Sequence, residues 1–150
     1  MLLFIEKPFD KLTHQELHDI YALRSEVFVV EQECVYQDID GKDLNSLHIL
    51  GLDEGKLVAY ARILGKGFSY SDYASIGRIV VSPAYRGRNI GHRLVDFSVK
   101  TSQKRYNQIP IKISAQAHLE KFYKEHHFKA TGENYLEDGI PHIGMIYQIA

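Results

Sequence analysis

The sequence predicts a mixed α/β fold: a partly parallel β-sheet in one layer, flanked by helices. Two observations carry that prediction. Short β-rich runs bounded by Gly, Pro and Asp alternate with segments of helical periodicity, in the order β-α-β-β-β-α-β-α-β-β. In the second half, a strand–helix–strand–helix succession requires crossover connections and so parallel pairing, while tight Gly-containing joins require hairpins. With 150 residues, 45% hydrophobic and 25% charged, the chain is expected to form one domain, residues 1–150, with a full core.

The elements follow in order. Leu2 to Ile5 is a short apolar run ended by Pro8, consistent with a first strand. Thr13-His14-Gln15-Glu16 is a capping-box pattern. Leu17, Ile20, Tyr21, Val27 and Phe28 then keep helical spacing, interrupted at Arg24, which predicts a helix over 14–28. His48 to Asp53 and Lys56 to Leu64, joined by Asp53-Glu54-Gly55, read as a hairpin. Ala74 to Ser82, stopped by Pro83, reads as a buried strand. Asn89 to about Arg105 carries Ile90, Leu94, Val95, Phe97, Ser98 and Thr101 near one helical stripe. Ile109 to Ser114 is a further strand. Ala117 to His126 is a second amphipathic helix, with Leu119, Phe122 and Tyr123 inward. Phe128 to Leu136 and His142 to Ile149, joined by Glu137-Asp138-Gly139, close the chain as a hairpin.

Composition narrows the classes of function. Cys34 is the only cysteine, so no internal disulfide can form, which suits a reducing compartment. No apolar run reaches the roughly 18 residues that span a bilayer. The N-terminus lacks the pattern of a secretory signal. The expectation is a cytoplasmic protein with no membrane partner, and a homodimer is the default assembly for such a chain.

The formal charge of −1 hides an uneven distribution. From Arg86 to Arg105 there are six basic residues against one acid, Asp96. From Glu26 to Asp43, six acids face only Lys42. One region suits an anion and the other a cation, although solvated faces can sort in the same way. The remainder of the chain is net negative and no nucleic-acid motif accompanies the basic window, so no nucleic-acid partner is expected.

The strongest local feature is the loop Ser82-Pro83-Ala84-Tyr85-Arg86-Gly87-Arg88-Asn89-Ile90-Gly91, where a buried strand turns directly into a helix. Unpaired amides at a helix start, the positive end of its dipole and small residues together suit a phosphate. A plain connecting turn is the alternative. The loop has neither the Gly-Lys-Ser/Thr of a Walker loop nor three spaced glycines.

Arg86-Gly87-Arg88-Asn89-Ile90-Gly91 resembles the Arg/Gln-x-x-Gly-x-Gly/Ala loop of the GNAT-superfamily N-acetyltransferases. Ala117 to Phe128 is similar to the later A-x-x-F-Y-x-x-x-G-F stretch of that family. Glu26–Gln32, Asp38–Gly41, Ser114–His118 and Tyr135–Met145 resemble the ElaA-like subgroup, so the likeness covers essentially the whole chain. Two positions depart from the pattern. Asn89 stands where the loop's middle glycine usually sits, and His127 replaces the glycine before Phe128.

The resemblance implies an N-acetyltransferase, moving an acetyl group from acetyl-CoA to an amine by direct attack on the thioester, with no metal. It implies that amides of Arg88, Asn89 and Gly91, in the loop with Gly87, hold the pyrophosphate, with Arg86 or Arg88 adding charge. Ile79, Val80 and Val81 would pair with the pantetheine arm, and a splayed amide near Val80 or Val81 would polarise the thioester carbonyl. Tyr123 would protonate the departing thiolate, against the alternative of a packed core tyrosine. The base that takes the amine's proton is left among Glu33, Glu137, Asp138 and His142. The acidic Glu26–Asp43 segment would favour a cationic acceptor. A non-catalytic acyl-CoA sensor on the same fold is the competing reading.

Other candidates carry less. His14 and His18 are spaced i,i+4 without a His-Glu-x-x-His pattern, and His126-His127 cannot easily face one metal, so no metal site is expected. No pattern pairs Cys34 with a histidine. Phe68 to Tyr73 reads as an exposed loop whose aromatics could line an acceptor pocket.

Overall fold

The computed structural model of the chain describes residues 1–148. Seven strands form one sheet: β1 (Leu2–Pro8), β2 (Leu47–Asp53), β3 (Lys56–Leu64), β4 (Ala74–Val81), β5 (Ile111–Gln116), β6 (Phe128–Glu137) and β7 (Ile140–Tyr147), in the spatial order β1-β2-β3-β4-β5-β7-β6. The helices are α1 (His14–Arg24), α2 (Ile90–Arg105) and α3 (Glu120–Lys124). Every pairing is antiparallel except β4 with β5. This is the mixed α/β order that the sequence predicts.

Several boundaries differ from the expected ones for identifiable reasons. The Thr13 hydroxyl accepts the Glu16 amide at 3.0 Å and Glu16 returns a bond to the Thr13 amide at 2.9 Å, so α1 starts where the capping box requires. It ends at Arg24, and the chain continues to Glu31 as a π-helical coil rather than as α-helix to residue 28. The second amphipathic helix is shorter than 117–126. Ala117–Leu119 is a 3₁₀ turn, and α3 ends before His127, whose φ of +69° turns the chain into β6. His127 therefore adopts the left-handed conformation that a glycine would otherwise supply. The last strand begins at Ile140 and ends at Tyr147; Ile149 lies outside the described residues.

The sheet has a core on each face. On one, Ile90, Leu94, Val95 and Val99 of α2 pack on Ile49, Ala61, Ile63, Ile76, Ile111 and Ile113. Phe128, Tyr123 and Met145 extend that core. On the other face Ile20, Leu23 and Val27 meet Leu50, Tyr60 and Val80. The stripe of α2 follows the spacing read from sequence. Arg24, an apparent interruption of the α1 stripe, is fully buried.

Arg24 is buried because it is neutralised. Its Nε donates to Asp38 at 2.8 Å and its Nη1 to Asp43 at 2.8 Å. Arg62 on β3 bonds Asp40 at 2.7–2.8 Å and Asp43 at 3.1 Å, and Arg78 on β4 lies 2.7 Å from Asp38. Three arginines and three aspartates thus tie residues 38–43 to α1, β3 and β4. Beneath them, buried His48 lies between the Tyr60 hydroxyl, 2.6 Å from Nδ1, and the Asp43 carbonyl, 2.9 Å from Nε2. A carbonyl only accepts, so Nε2 carries the proton and Nδ1 accepts from Tyr60. The expectation that Glu26–Asp43 presents free negative charge to an acceptor is corrected here. Asp38, Asp40 and Asp43 are internally paired, and Glu31 is bound by Arg86.

Burial alone would raise the carboxyls of Asp40 and Asp43, but their arginine partners hold both below the usual carboxylate range. Depressed folded-state values make their contribution complete above the unfolded value of about 4, and it is lost as pH falls further. The thermal midpoint is expected to fall steeply below about pH 4, with a shallower acid slope in Asp43→Asn. At neutral pH, Asp43→Asn should cost about 3 kcal/mol in urea unfolding by leaving Arg24 and Arg62 undercompensated. Removing the exposed Lys100–Asp96 pair by Lys100→Gln should cost under about 0.5 kcal/mol.

Candidate active site

The site is organised by a parting of strands. β4 and β5 are paired only at Ala74/Ile111 and Ser75/Lys112, and beyond those two pairs they diverge. The ladder between β3 and β4 also breaks here, since Tyr60 faces Val80 while Arg62 faces Gly77. The extra residue is accommodated at Arg78, whose φ is +51°. Such a bulge leaves backbone groups unpaired and bends the strand. Arg78 is held in this strained conformation from below, its Nη2 donating to the Asp38 carbonyl at 2.8 Å.

Beyond the bulge, hydrogen-bond alternation assigns the remaining amides. Ser82 N–H donates to the Val58 carbonyl at 2.8 Å, and Val81 lies opposite Ala59. In an antiparallel pair bonded and non-bonded residues alternate, so the Val80 amide turns toward β3 and the Val81 amide toward the gap. Of the two strand residues singled out for a carbonyl-polarising amide, Val81 is the one that faces the opening.

The loop after β4 has the backbone that the sequence suggests. Gly87 and Asn89 have φ of +79° and +64°, and Asn89 caps α2 without a side-chain hydrogen bond. The first-turn amides are left with free donors at the positive end of a 16-residue helix. A Cβ on Gly91 would meet only ordinary contacts, at 3.6 Å from Phe122 and 3.9 Å from Val81, so packing within the chain does not itself demand glycine there. Arg88 lies 4.9 Å from the Tyr85 ring centroid. Arg86 makes a two-pronged ion pair with Glu31 at 2.7 and 2.8 Å, bridging the loop to the π-helical segment after α1.

Between the parted strands, lined by both, lies a cavity of about 610 Å³. It collects Ile79 from β4, Tyr123 from α3, and Glu137, Asp138 and His142 from the β6–β7 hairpin. Four of the residues singled out for chemistry, Tyr123, Glu137, Asp138 and His142, are thereby brought together. Glu33 is exposed and, like Val80, Val81 and the Arg86–Gly91 loop, outside the cavity lining. Burial pushes the Tyr123 phenol up to about 12.

His142 is the most constrained of the base candidates. It is 8% exposed, and its Nδ1 lies 2.7 Å from the Ile140 carbonyl. The carbonyl only accepts, so Nδ1 carries the proton and Nε2 keeps the basic lone pair. Nε2 lies 3.6 Å from Glu137 Oε2, and the Tyr135 ring stacks on the imidazole at 6.2 Å between centroids. Glu137 in turn accepts from Ser114 at 3.1 Å, which accepts from the Tyr135 hydroxyl at 2.6 Å.

Sequence reasoning passed over Ser114 and Tyr135 as parts of this cluster. It also passed over the pairing of His126 with His92, which are 2.9 Å apart and pack α3 against the start of α2. Strand alternation was the available signal for the first: Lys112, Ser114 and Gln116 share the face opposite buried Ile111, Ile113 and Ala115.

Comparison with known proteins agrees with this architecture. The family model described as an acetyltransferase (GNAT) domain matches residues 10–149. The protein ElaA of Escherichia coli K12 is 45% identical over 141 residues, covering 93% of this chain and 92% of that protein. Its crystal structure superposes with a TM-score of 0.91 over 99% of this chain and 100% of ElaA, at 42% identity. A UPF0039 protein of Synechocystis is 41% identical over 142 residues, 94% of this chain and 92% of that protein. A crystal structure of an acyl-CoA N-acyltransferase from Pseudomonas aeruginosa gives a TM-score of 0.91 at 41% identity, covering 98% of this chain and 99% of that one. With a parted β4–β5 pair, a free helix start and matches of this extent, the chain belongs to the GNAT acetyltransferase family, in its ElaA-like subgroup, and is an N-acetyltransferase.

Proposed function

We propose that the protein transfers an acetyl group from acetyl-CoA to a primary amine by direct attack on the thioester. The observation that carries this reading is the opening between β4 and β5. An amide-rich, basic loop follows β4 into a helix start, and a cavity lined by both strands collects Tyr123, His142 and Glu137.

In this reading the pyrophosphate takes the free amides of the Arg88, Asn89 and Gly91 region, and the pantetheine arm runs along Ile79–Val81. The Arg86 guanidinium contributes charge once it is released from or shared with Glu31. The Val81 amide and the unpaired backbone of the bulge face the thioester carbonyl. The amine first gives one proton to His142 Nε2, directly or through water. Its lone pair then attacks the carbonyl carbon, the C–S bond breaks, and the sulfur leaves with the bonding pair.

Tyr123 supplies the hydrogen bond, and then the proton, to that sulfur. A phenol near 12 is a weak acid beside an ordinary thiol of about 8.5, so transfer in water would run uphill. Desolvation in the closed site also raises the basicity of the thiolate, which narrows that gap. The amine arrives as an ammonium, so after the attack its nitrogen sheds a second proton, which restores the Tyr123 phenol through water, while His142 returns the first to solvent; the products are an amide with one N–H and the free thiol.

Tyr123→Phe is expected to lower kcat by about 10²-fold or more while leaving the acetyl-CoA dissociation constant within about twofold. Equal loss of both would oppose the general-acid role. His142→Gln is expected to lower kcat by about 10²-fold while leaving the acetyl-CoA dissociation constant within about twofold. The groups facing the imidazole are the Glu137 carboxylate, the Ile140 carbonyl and the Tyr135 ring, so the variant is compared with Glu137→Gln. Thermal stabilisation by coenzyme A without thiol release from acetyl-CoA, across a panel of amines, would favour the non-catalytic sensor instead.

A further inference from the structure

The acceptor cavity has two ends of opposite charge. Four cations line it. Arg62 is paired with Asp40 and Asp43, Arg78 with Asp38, and Lys112 with Glu133 at 2.9 Å. Lys112 is further enclosed by Tyr70, whose ring centroid lies 5.0 Å from its ammonium. Lys42 differs. Its ammonium donates to the Ser69 hydroxyl at 3.2 Å, and among the described residues no carboxylate lies within ion-pair distance of it. The nearest acids in sequence are committed elsewhere, Asp43 to Arg24 and Arg62, and Asp40 to Arg62 and the Lys42 backbone amide.

At the other end are Glu137 and Asp138. Glu137 has only Ser114 and His142 as neighbours of this kind, and Asp138 has no ion-pair partner among the described residues. β5 measures the separation. Lys112, over the ring of Tyr70 that follows Ser69 in sequence, is two residues from Ser114, which holds Glu137, and four from Gln116, which faces His142. At about 3.3 Å per residue, the ends lie roughly 7–13 Å apart.

We infer that the acceptor is a zwitterion: a primary amine recognised beside Glu137, Asp138 and His142, carrying on its other end a carboxylate that Lys42 and Ser69 receive. This rests on the amine-acetylation reading above and specifies its substrate class. A cationic far end would meet Lys42, and a neutral one would leave its charge unanswered. An extended amine and carboxylate five methylenes apart, roughly 8 Å, reach the longer end of the interval once a hydrogen bond of about 2.8 Å is allowed at each end.

The test uses three amines of matched length with acetyl-CoA, read by thiol release and product mass: 6-aminohexanoate, 1,5-diaminopentane and pentylamine. The carboxylate acceptor is expected to exceed the other two in kcat/KM by about tenfold, the scale of one partly solvated charge-assisted contact. In Lys42→Ala the ratio of 6-aminohexanoate to pentylamine should fall about tenfold, mainly through KM, and Lys42→Glu should make the diamine the best of the three. Equal use of all three amines, a preference for the diamine in the unaltered protein, or an unchanged ratio in Lys42→Ala would overturn the inference while leaving amine acetylation standing. No thiol release with any amine, despite stabilisation by coenzyme A, would overturn the transfer reading and this inference with it.

Discussion

Where β4 and β5 part, neither strand completes its ladder, and most of the functional geometry follows from that parting. Two parallel pairs hold them together at Ser75 and Lys112, after which β4 bends at the Arg78 bulge and β5 stays paired with β7. Backbone donors that a continuous sheet would have consumed are left facing a gap. The helix that follows β4 begins at the mouth of the same gap, and the β6–β7 hairpin is carried by β5 to its opposite side. A helix start with free amides and the cluster of Tyr123, Glu137 and His142 are thus both tied to the strands that border one opening.

The bulge is sustained by charge. A non-glycine residue at φ +51° costs conformational energy, and Arg78 is held there by the Asp38 carbonyl and carboxylate. Asp38 is fixed by Arg24 from α1, and Asp40 and Asp43 by Arg62 from β3. The network therefore does two things: it ties the segment after α1 to the sheet, and it lines the cavity with Asp40, Arg62 and Arg78. It also neutralises Asp38, Asp40 and Asp43, which leaves Glu137 and Asp138, among the described residues, as the cavity carboxylates with no arginine or lysine partner.

The hairpin shows how close packing and chemistry are interlocked. Gly144 on β7 leaves room for Glu133 and Thr131 to lie over the strand, where a Cβ would approach them to 2.7 and 2.8 Å. That placement lets Glu133 reach Lys112 and take its charge out of the cavity, while Tyr135 and Ser114 on the same face orient Glu137 toward His142. One strand face thus sorts its groups into a neutralised pair and a polar cluster beside Tyr123.

Much of this was legible in the sequence because it is encoded between near neighbours. The Thr13 capping box, the α2 stripe, the turn glycines and the left-handed Asn89 are decided by residues within a few positions of one another, and all the strands were readable from apolar runs and breakers. The family motifs likewise marked the loop and Tyr123 in continuous stretches. What only the tertiary structure decided were relations across the chain. Arg24 read as a break in a helical stripe until Asp38 and Asp43 met it. Asp38, Asp40 and Asp43 read as part of a cation site until arginines from three elements paired with them. His142, Glu137 and Asp138 were separate candidates until the hairpin set them in one cavity with Tyr123 and left Glu33 outside it. Periodicity and turn preference are local properties of a chain, whereas the partner of a charge, and so its availability for chemistry, depends on which distant strands lie side by side.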